Sequence, residues 1–182
     1  IHMPRGIGKL LTPGNAHVWS YKAGKGPGRG TEDWLKGRTL GGSSSVNAMI
    51  YARGHQSDYD HWAEQGNPGW AWKDVLPYFK RAEHNERGGD DLHGTGGPLN
   101  VKDLTTPNRF GPVFVEAGKQ AGYVANSDFN GPEQEGVGMY QVTHKNGERC
   151  SAAKAYLTPH LSRPNLKVIT GAHATRILMD GH

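Results

Sequence analysis

The stretch GRTLGGSSSVNAMIYARG, Gly37 to Gly54, joins paired glycines to three serines and an asparagine, then runs into an apolar segment. Three chemistries use such a run. A serine nucleophile on a strand-turn-helix elbow needs G-x-S-x-G. Gly41-Gly42-Ser43-Ser44-Ser45 lacks the closing glycine. A flexible linker fits Gly41 to Ser45 by composition, but Val46, Ala48, Met49, Ile50 and Tyr51 read as buried neighbours. A cradle for an anion or cofactor fits both halves. Gly41 and Gly42 let a ligand approach the backbone, and N–H groups ahead of a helix start bind phosphate. Ser43 to Ser45 add hydroxyl donors, and Arg38 adds charge. The local residues leave the cradle and a plain structural turn both open.

The chain around this stretch has 182 residues, enough for one domain with a real core. Its hydrophobic fraction is 35%, and 27 glycines and 11 prolines point to a loop-rich fold. Five Trp, seven Tyr and four Phe argue against disorder. The net charge is +4, from basic residues scattered along the chain. A nucleic-acid binder clusters them on a stripe, so a mildly basic solvated surface is expected and no nucleic-acid partner. The single cysteine, Cys150, excludes an internal disulfide and a Cys-rich zinc site. It fits a reducing compartment, hence a cytoplasmic location. No apolar run reaches the ~18 residues a membrane span needs. Beside Arg149, Cys150 reads as a bland buried thiol rather than a reactive one. His55, His61, Asp58 and Asp60 match no zinc spacing and read as solvated helix-end residues, so no metal is expected.

Fold class follows from the periodicities. Residues 1–36 read as irregular. Lys22 to Gly30, KAGKGPGRG, fails as a nucleotide loop because Arg29 stands where the third glycine of G-x-G-x-x-G belongs. It reads as an exposed loop. Ser57 caps a short helix through Trp62 and Glu64 that stops at Gly66. Trp72, Val75, Leu76, Phe79 and Ala82 trace one apolar helical face, with Pro77 in its first turns or kinking it. Trp62, Trp70 and Trp72 anchor a core around these two helices. Leu99 to Val101 is a strand. Pro112 opens a helix with Val113, Ala117 and Ala121 on one side and Gly122 as its stop. Val137 to Thr143 is a strand, and Asn146-Gly147 is a tight turn after it. Ser151 caps a helix towards Leu157 or Leu161. Lys167 to Thr170 and Thr175 to Met179 are strands, and Asp180-Gly181 is a hairpin turn that suggests the chain is a fragment. Helices and strands mix without βαβ alternation, which predicts an α+β fold.

Read as one string, the opening stretch resembles the first signature of the glucose–methanol–choline oxidoreductases, G-R-x-L-G-G-S-S-x-x-N followed by a small apolar run and R-G. Gly37-Arg38-Thr39-Leu40-Gly41-Gly42-Ser43-Ser44-Ser45-Val46-Asn47, Ala48 to Ala52 and Arg53-Gly54 match it. Asp58-Tyr59-Asp60-His61-Trp62 continues it. Gly69-Trp70 to Phe79 is similar to the family's W-x-x-V-L-P-Y-F helix, and His93-Gly94 to Pro98-Leu99 to its H-G-x-x-G-P-L. Arg149 to Leu157 is similar to R-x-S-A-A-x-A-Y-L, with Arg163-Pro164-Asn165-Leu166 following in family order. Within the family the chain resembles the choline dehydrogenase and bacterial alkanol dehydrogenase branch.

That resemblance implies an FAD-dependent oxidation of an alcohol to an aldehyde, with a small-molecule alcohol substrate and an electron acceptor. It places Arg38, Leu40, Gly41, Gly42 and Ser43 on the diphosphate side of FAD and Asn47, Ala48, Met49 and Ile50 against the flavin ring. Ala174 would give a backbone contact to the adenine. Members that attach FAD covalently use a His one residue before the Asn. Val46 stands there, so non-covalent FAD is implied. The family's dinucleotide-binding G-x-G-x-x-G unit and its C-terminal catalytic His do not occur in this sequence, so no catalytic residue is assigned. The implied organisation is partial, roughly a third of a member. Residues 37–62 form an FAD-contacting segment, 63–148 mainly substrate-side and connecting elements, and 149–182 a return to the FAD-binding domain. Alone the chain would be inactive. The branch also allows peripheral contact with the inner membrane. The alternative is a truncated, non-catalytic flavin- or nucleotide-binding module, or a subunit completed by a partner chain.

Overall fold

The computed structural model describes residues 1–24, 26 and 30–179. The expected Asp180-Gly181 turn, His182 and part of the Lys22 to Gly30 loop lie outside those residues. Two short turns of helix open the chain, Pro4–Gly6 and α1 (Ile7–Leu10). Strands β1 (Val18–Gly24) and β2 (Thr31–Gly37) then pair antiparallel, Val18 opposite Gly37 and Gly24 opposite Thr31. Residues 1–36 are therefore not irregular. This ribbon is mostly exposed on both faces, with only Val18 buried, so no inward-outward alternation of apolar residues marks it. Lys22 to Gly24, expected within an exposed loop, form the end of β1.

Helix α2 (Gln56–Glu64) is capped by His55 rather than Ser57. The His55 Nδ1 accepts from the Ser57 backbone N–H at 3.2 Å, and the Asp58 carboxylate accepts from the His55 N–H at 2.8 Å. This reciprocal capping box satisfies two donors at the helix start. Gly66, at φ +93°, ends it as expected. Helix α3 (Trp72–Ala82) turns Trp72, Val75, Leu76 and Phe79 inward, with Pro77 exposed in its second turn. Tyr59 sits between the two helices, 5.5 Å from Trp72 and 5.6 Å from Phe79 between ring centroids. Trp62 and Trp70 join this cluster edge-on but stay about half exposed.

Strand β3 (Glu83–Asn85) follows α3 directly and pairs parallel with β4 (Leu99–Val101). Helix α4 (Phe110–Gln120) comes next. Its Gly118 packs where Val137 leaves no room for a side chain. Val113 remains exposed, so the expected apolar face is not covered within this chain. Residues 137–143 do not form one strand. They make separate bridges, Val137 with Ala125 and Val142 with both Ile50 and Lys102. The Asn146-Gly147 turn does form, with φ of +50° and +80°, and joins β5 (His144–Lys145) to β6 (Glu148–Arg149). Ser151 caps the following helical segment, its hydroxyl accepting from the Lys154 N–H at 3.2 Å. That segment opens as a π-helical turn, Ala153–Leu157, and tightens at Thr158–His160. Residues 167–170 and 175–179, expected as strands, form no strand and pair with no described residue. A strand without a ladder partner has nothing to hold its backbone groups. The mixed helices and small sheets give the α+β class expected.

The interior between α3, β3 and β4 is ionic. Arg53 donates to Glu83 at 2.8 Å, with both side chains almost fully buried. The other Glu83 oxygen lies 3.2 Å from His93 Nδ1, and His93 Nε2 lies 2.9 Å from Asp128. The Gly94 N–H donates to Glu83 at 2.9 Å, and the Arg53 Nη1 to the Leu92 carbonyl at 2.7 Å. Asn85 and Gln141 exchange carboxamide hydrogen bonds at 3.0 and 3.1 Å beside them. Opposed charges with both carboxylate oxygens of Glu83 hydrogen-bonded make such burial tolerable, although the buried Arg53 Nε has no hydrogen-bond partner among the described residues. Gly94 is forced by this packing, because a side chain there would fall on the Lys80 carbonyl. No helix among the described residues is long and apolar enough to cross a membrane.

Candidate functional site

Strand β2 delivers the chain straight into the glycine-serine turn. The Gly37 N–H donates to Ser43 Oγ at 3.1 Å, and the Arg38 N–H to the His17 carbonyl at 2.8 Å. Residues Gly42–Ser45 then make one tight helical turn behind Gly41. The two glycines do different work. Gly41 has φ +86°, and a side chain there would strike Ser45 Oγ and the Ala153 backbone. It is required for the fold. Gly42 has φ +54°, and a side chain there would meet nothing within 4 Å. Its bare backbone faces open space, which is the condition for a ligand to approach it.

The serines divide similarly. Ser44 Oγ donates to the Gly41 carbonyl and Ser45 Oγ to the Leu40 carbonyl at 2.8 Å. Both hydroxyl protons are spent closing the turn, which corrects the expectation that all three serines offer donors. Ser43 is exposed, and its hydroxyl donates to no described residue. The backbone is narrowed in the same way. The Gly42 N–H goes to the Thr39 carbonyl at 2.9 Å and the Ser44 N–H to Gly41 at 3.2 Å.

On one side of the turn lies a groove of about 530 Å³ between Arg38, Thr39 and Leu40 and the segment Thr170 to His173. Trp19 forms its floor, with the Arg38 guanidinium 4.4 Å from one ring and His173 5.1 Å away. Ala174 follows His173 and is exposed, just beyond the lining. On the other side lies a ledge. Asn47, Ala48 and Ile50 are exposed, and Met49 takes φ +63°. A β-unbranched residue held in this region costs about 1–2 kcal/mol, so its surroundings must fix it. They do. The Met49 N–H donates to Asn47 Oδ1 at 3.0 Å, and its carbonyl accepts from the Thr143 N–H at 2.8 Å. Tyr51 N–H to the Gln141 carbonyl, 2.9 Å, continues the attachment. Val46, between turn and ledge, is buried.

The structure thus sets Arg38, Leu40, Gly41, Gly42, Ser43, Asn47, Ala48, Met49 and Ile50 along one continuous edge, groove first and ledge last. Arg149 also belongs here, although it was expected only as part of a motif match. Its Nη1 donates to the Ser44 carbonyl at 3.1 Å and to Asn47 Oδ1 at 2.7 Å. Burial works against its charged form. Its only advance signal was its place at the head of the R-x-S-A-A run. Cys150 is buried, as the sequence suggested, and the described residues hold no cluster of His, Cys, Asp and Glu fit for a metal.

A family model described as GMC oxidoreductase matches residues 29–182. The alcohol dehydrogenase [acceptor] of Pseudomonas putida is 46% identical over 183 residues, covering 99% of this chain and 33% of its own length. The oxygen-dependent choline dehydrogenase of Brucella anthropi is 50% identical over 146 residues, 80% of this chain and 26% of its own. Among solved structures, pyridoxine 4-oxidase from Mesorbium loti superposes with a TM-score of 0.89 at 33% identity, over 99% of this chain and 36% of that one. The chain therefore spans about a third of the length of the curated relatives it matches.

Proposed function

The chain belongs to the GMC oxidoreductase family, and from that premise we propose that it forms one wall of a non-covalent FAD site in a longer enzyme that oxidises an alcohol to an aldehyde. The observation that carries this reading is the contrast at the two glycines. Gly42 leaves open backbone where a side chain would intrude, while Gly41 only serves the fold. The φ of +54° at Gly42 also suits glycine for the turn itself; what sets it apart from Gly41 is the open space over its backbone.

The residues fit the cofactor. Arg38 and the Ser43 hydroxyl, beside Gly41 and Gly42, offer charge and a donor to the diphosphate. Leu40 gives that end an apolar border. Asn47, Ala48, Met49 and Ile50 offer a mostly apolar ledge to a planar ring, with one carboxamide for its polar edge. The backbone at Ala174, past the groove, suits the adenine. Val46 has no nucleophilic atom and is buried, so this position supplies no covalent link. FAD, when bound, accepts the hydride of the alcohol, and the protein contributes orientation and electrostatics. The chain's own task is to seat the cofactor, shield its face from water and hold the carboxamide of Asn47 in one orientation. In this arrangement residues 37–62 are the FAD-contacting segment, 63–148 connecting and substrate-side elements, and 149–182 a return to the cofactor domain. The substrate is an alcohol of the choline or alkanol type and the partner an electron acceptor. The place of action is the cytoplasm, with contact at the inner membrane face.

The test is the full-length protein, purified and assayed for alcohol-dependent reduction of an artificial electron acceptor. Turnover with bound flavin is expected. A preparation that folds, carries no flavin and takes none up contradicts the reading.

A further inference from the structure

A buried charge lies beneath the ledge without a counter-charge. Arg149 is 2% exposed. The arginine ion pairs among the described residues belong to Arg53 and Arg87, and neighbouring Glu148 is taken by Lys154. The Arg149 Nε is buried with no hydrogen-bond partner. What Arg149 does hold is neutral: the Ser44 carbonyl and Asn47 Oδ1. A guanidinium keeps its proton under all ordinary conditions, so the fold carries an unbalanced cation directly behind the cradle.

The second part of the observation is the orientation of Asn47. Its Oδ1 accepts twice, from Arg149 Nη1 and from the Met49 N–H. Two donors on one oxygen settle which end of the carboxamide points inward. The Nδ2 group then points away from both, and it donates to no described residue on this exposed side chain. An arginine, an amide and an outward N–H donor form one relay from the interior to the ledge.

We propose that Arg149 is the positioning residue of the cofactor wall: it holds the Asn47 carboxamide with its donors turned towards the flavin ring, and its charge favours the electron-rich reduced ring. The proposal rests on the flavin reading above. It adds a residue, a direction for a donor and a sign for an electrostatic effect.

The experiment compares full-length wild type with Arg149→Met, Arg149→Lys and Asn47→Asp. Flavin content after gel filtration, the flavin absorbance bands, the midpoint potential and the melting temperature are read for each. Arg149→Met is expected to bind FAD at least about tenfold more weakly, the loss of one charge-assisted contact, and to show a lower potential. Arg149→Lys keeps the charge and recovers the potential, but not the affinity, because it lacks the fork. Asn47→Asp decides the matter even if the Met variant fails to fold. It pairs with Arg149 and is expected to melt no lower than wild type. It loses the outward donor, so its bands shift and its potential falls. A well-folded Asn47→Asp with wild-type bands and potential overturns the inference and leaves the flavin reading standing. Wild type that binds no flavin overturns both.

Discussion

The glycine-serine cradle and the ionic cluster behind β3 solve opposite problems with residues of equal polarity. In the cluster, Glu83 meets Arg53, His93 and the Gly94 N–H within 3.2 Å, and of the buried side-chain atoms only the Arg53 Nε is left over among the described residues. In the cradle, the Ser43 hydroxyl proton, the Asn47 Nδ2 and the open face of Gly42 are left without described partners, and apolar Ile50 stands exposed. One region is finished within the chain and the other is not. A saturated polar cluster is a scaffold. A half-used polar edge bordered by exposed apolar residues is a surface shaped for something else.

That comparison can be broken at its strongest point. Glu83→Gln in the full-length protein leaves Arg53 and His93 without their shared carboxylate. A loss of about 3–5 kcal/mol in denaturant unfolding is expected, the cost of stranding a buried charge. A loss near zero would remove the cluster from the scaffold. The next effect is smaller. Gly41→Ala puts a methyl onto Ser45 Oγ and the Ala153 backbone at a positive φ. It is expected to cost about 1–3 kcal/mol by the same measurement, since strain at such sites falls in that range.

The third test uses pH. The hydrogen bond that His93 donates to Glu83, with the charges of Glu83 and Asp128, holds the His93 imidazolium pKa above its ordinary range. Desolvation opposes this and loses. A group raised in the folded state stabilises fully below its unfolded pKa of about 6.5 and loses that contribution as pH rises through the folded value. Stability should therefore fall as pH rises above about 6.5, and His93→Gln should flatten this slope. Glu83 works in the other direction. Desolvation raises it, but hydrogen bonds from His93 and Gly94 and the charge of Arg53 leave it lowered overall. Its contribution is present above the ordinary carboxylate range and is lost as pH falls through the folded value. A pH-independent melting temperature between 6 and 8 would separate His93 from the cluster's energetics.

How much of this was legible in the sequence depends on range. Asn146-Gly147 specified its hairpin because both positive φ values are a local property of those two residues. Gly66 ended α2, and the Trp72 to Ala82 face turned inward, for equally local reasons. The cap of α2 moved from Ser57 to His55 because an imidazole nitrogen can accept as a hydroxyl can. The β1–β2 ribbon was missed because it buries only Val18 and shows no alternation. Residues 137–143 read as a strand but serve three different partners by single bridges. In the candidate site, the order Arg38 to Ile50 was readable as one string. The split between Gly41 and Gly42 was not, because only contacts with Ser45 and Ala153 distinguish them. Arg149 lies about a hundred residues from Asn47 in the chain, and no pattern in either segment names the other.

The most direct measurement is the flavin content of the full-length protein with Gly42→Asp beside wild type. Asp tolerates the left-handed region better than most residues, and a side chain at Gly42 meets no atom of the fold. The variant is expected to melt a few degrees lower, for the cost of about 1 kcal/mol of a side chain at φ +54°, yet to fold and lose its flavin, because a carboxylate then occupies the open space and repels the diphosphate. If folded Gly42→Asp retains wild-type flavin, Gly37 to Gly54 is a structural turn and the cofactor wall lies elsewhere.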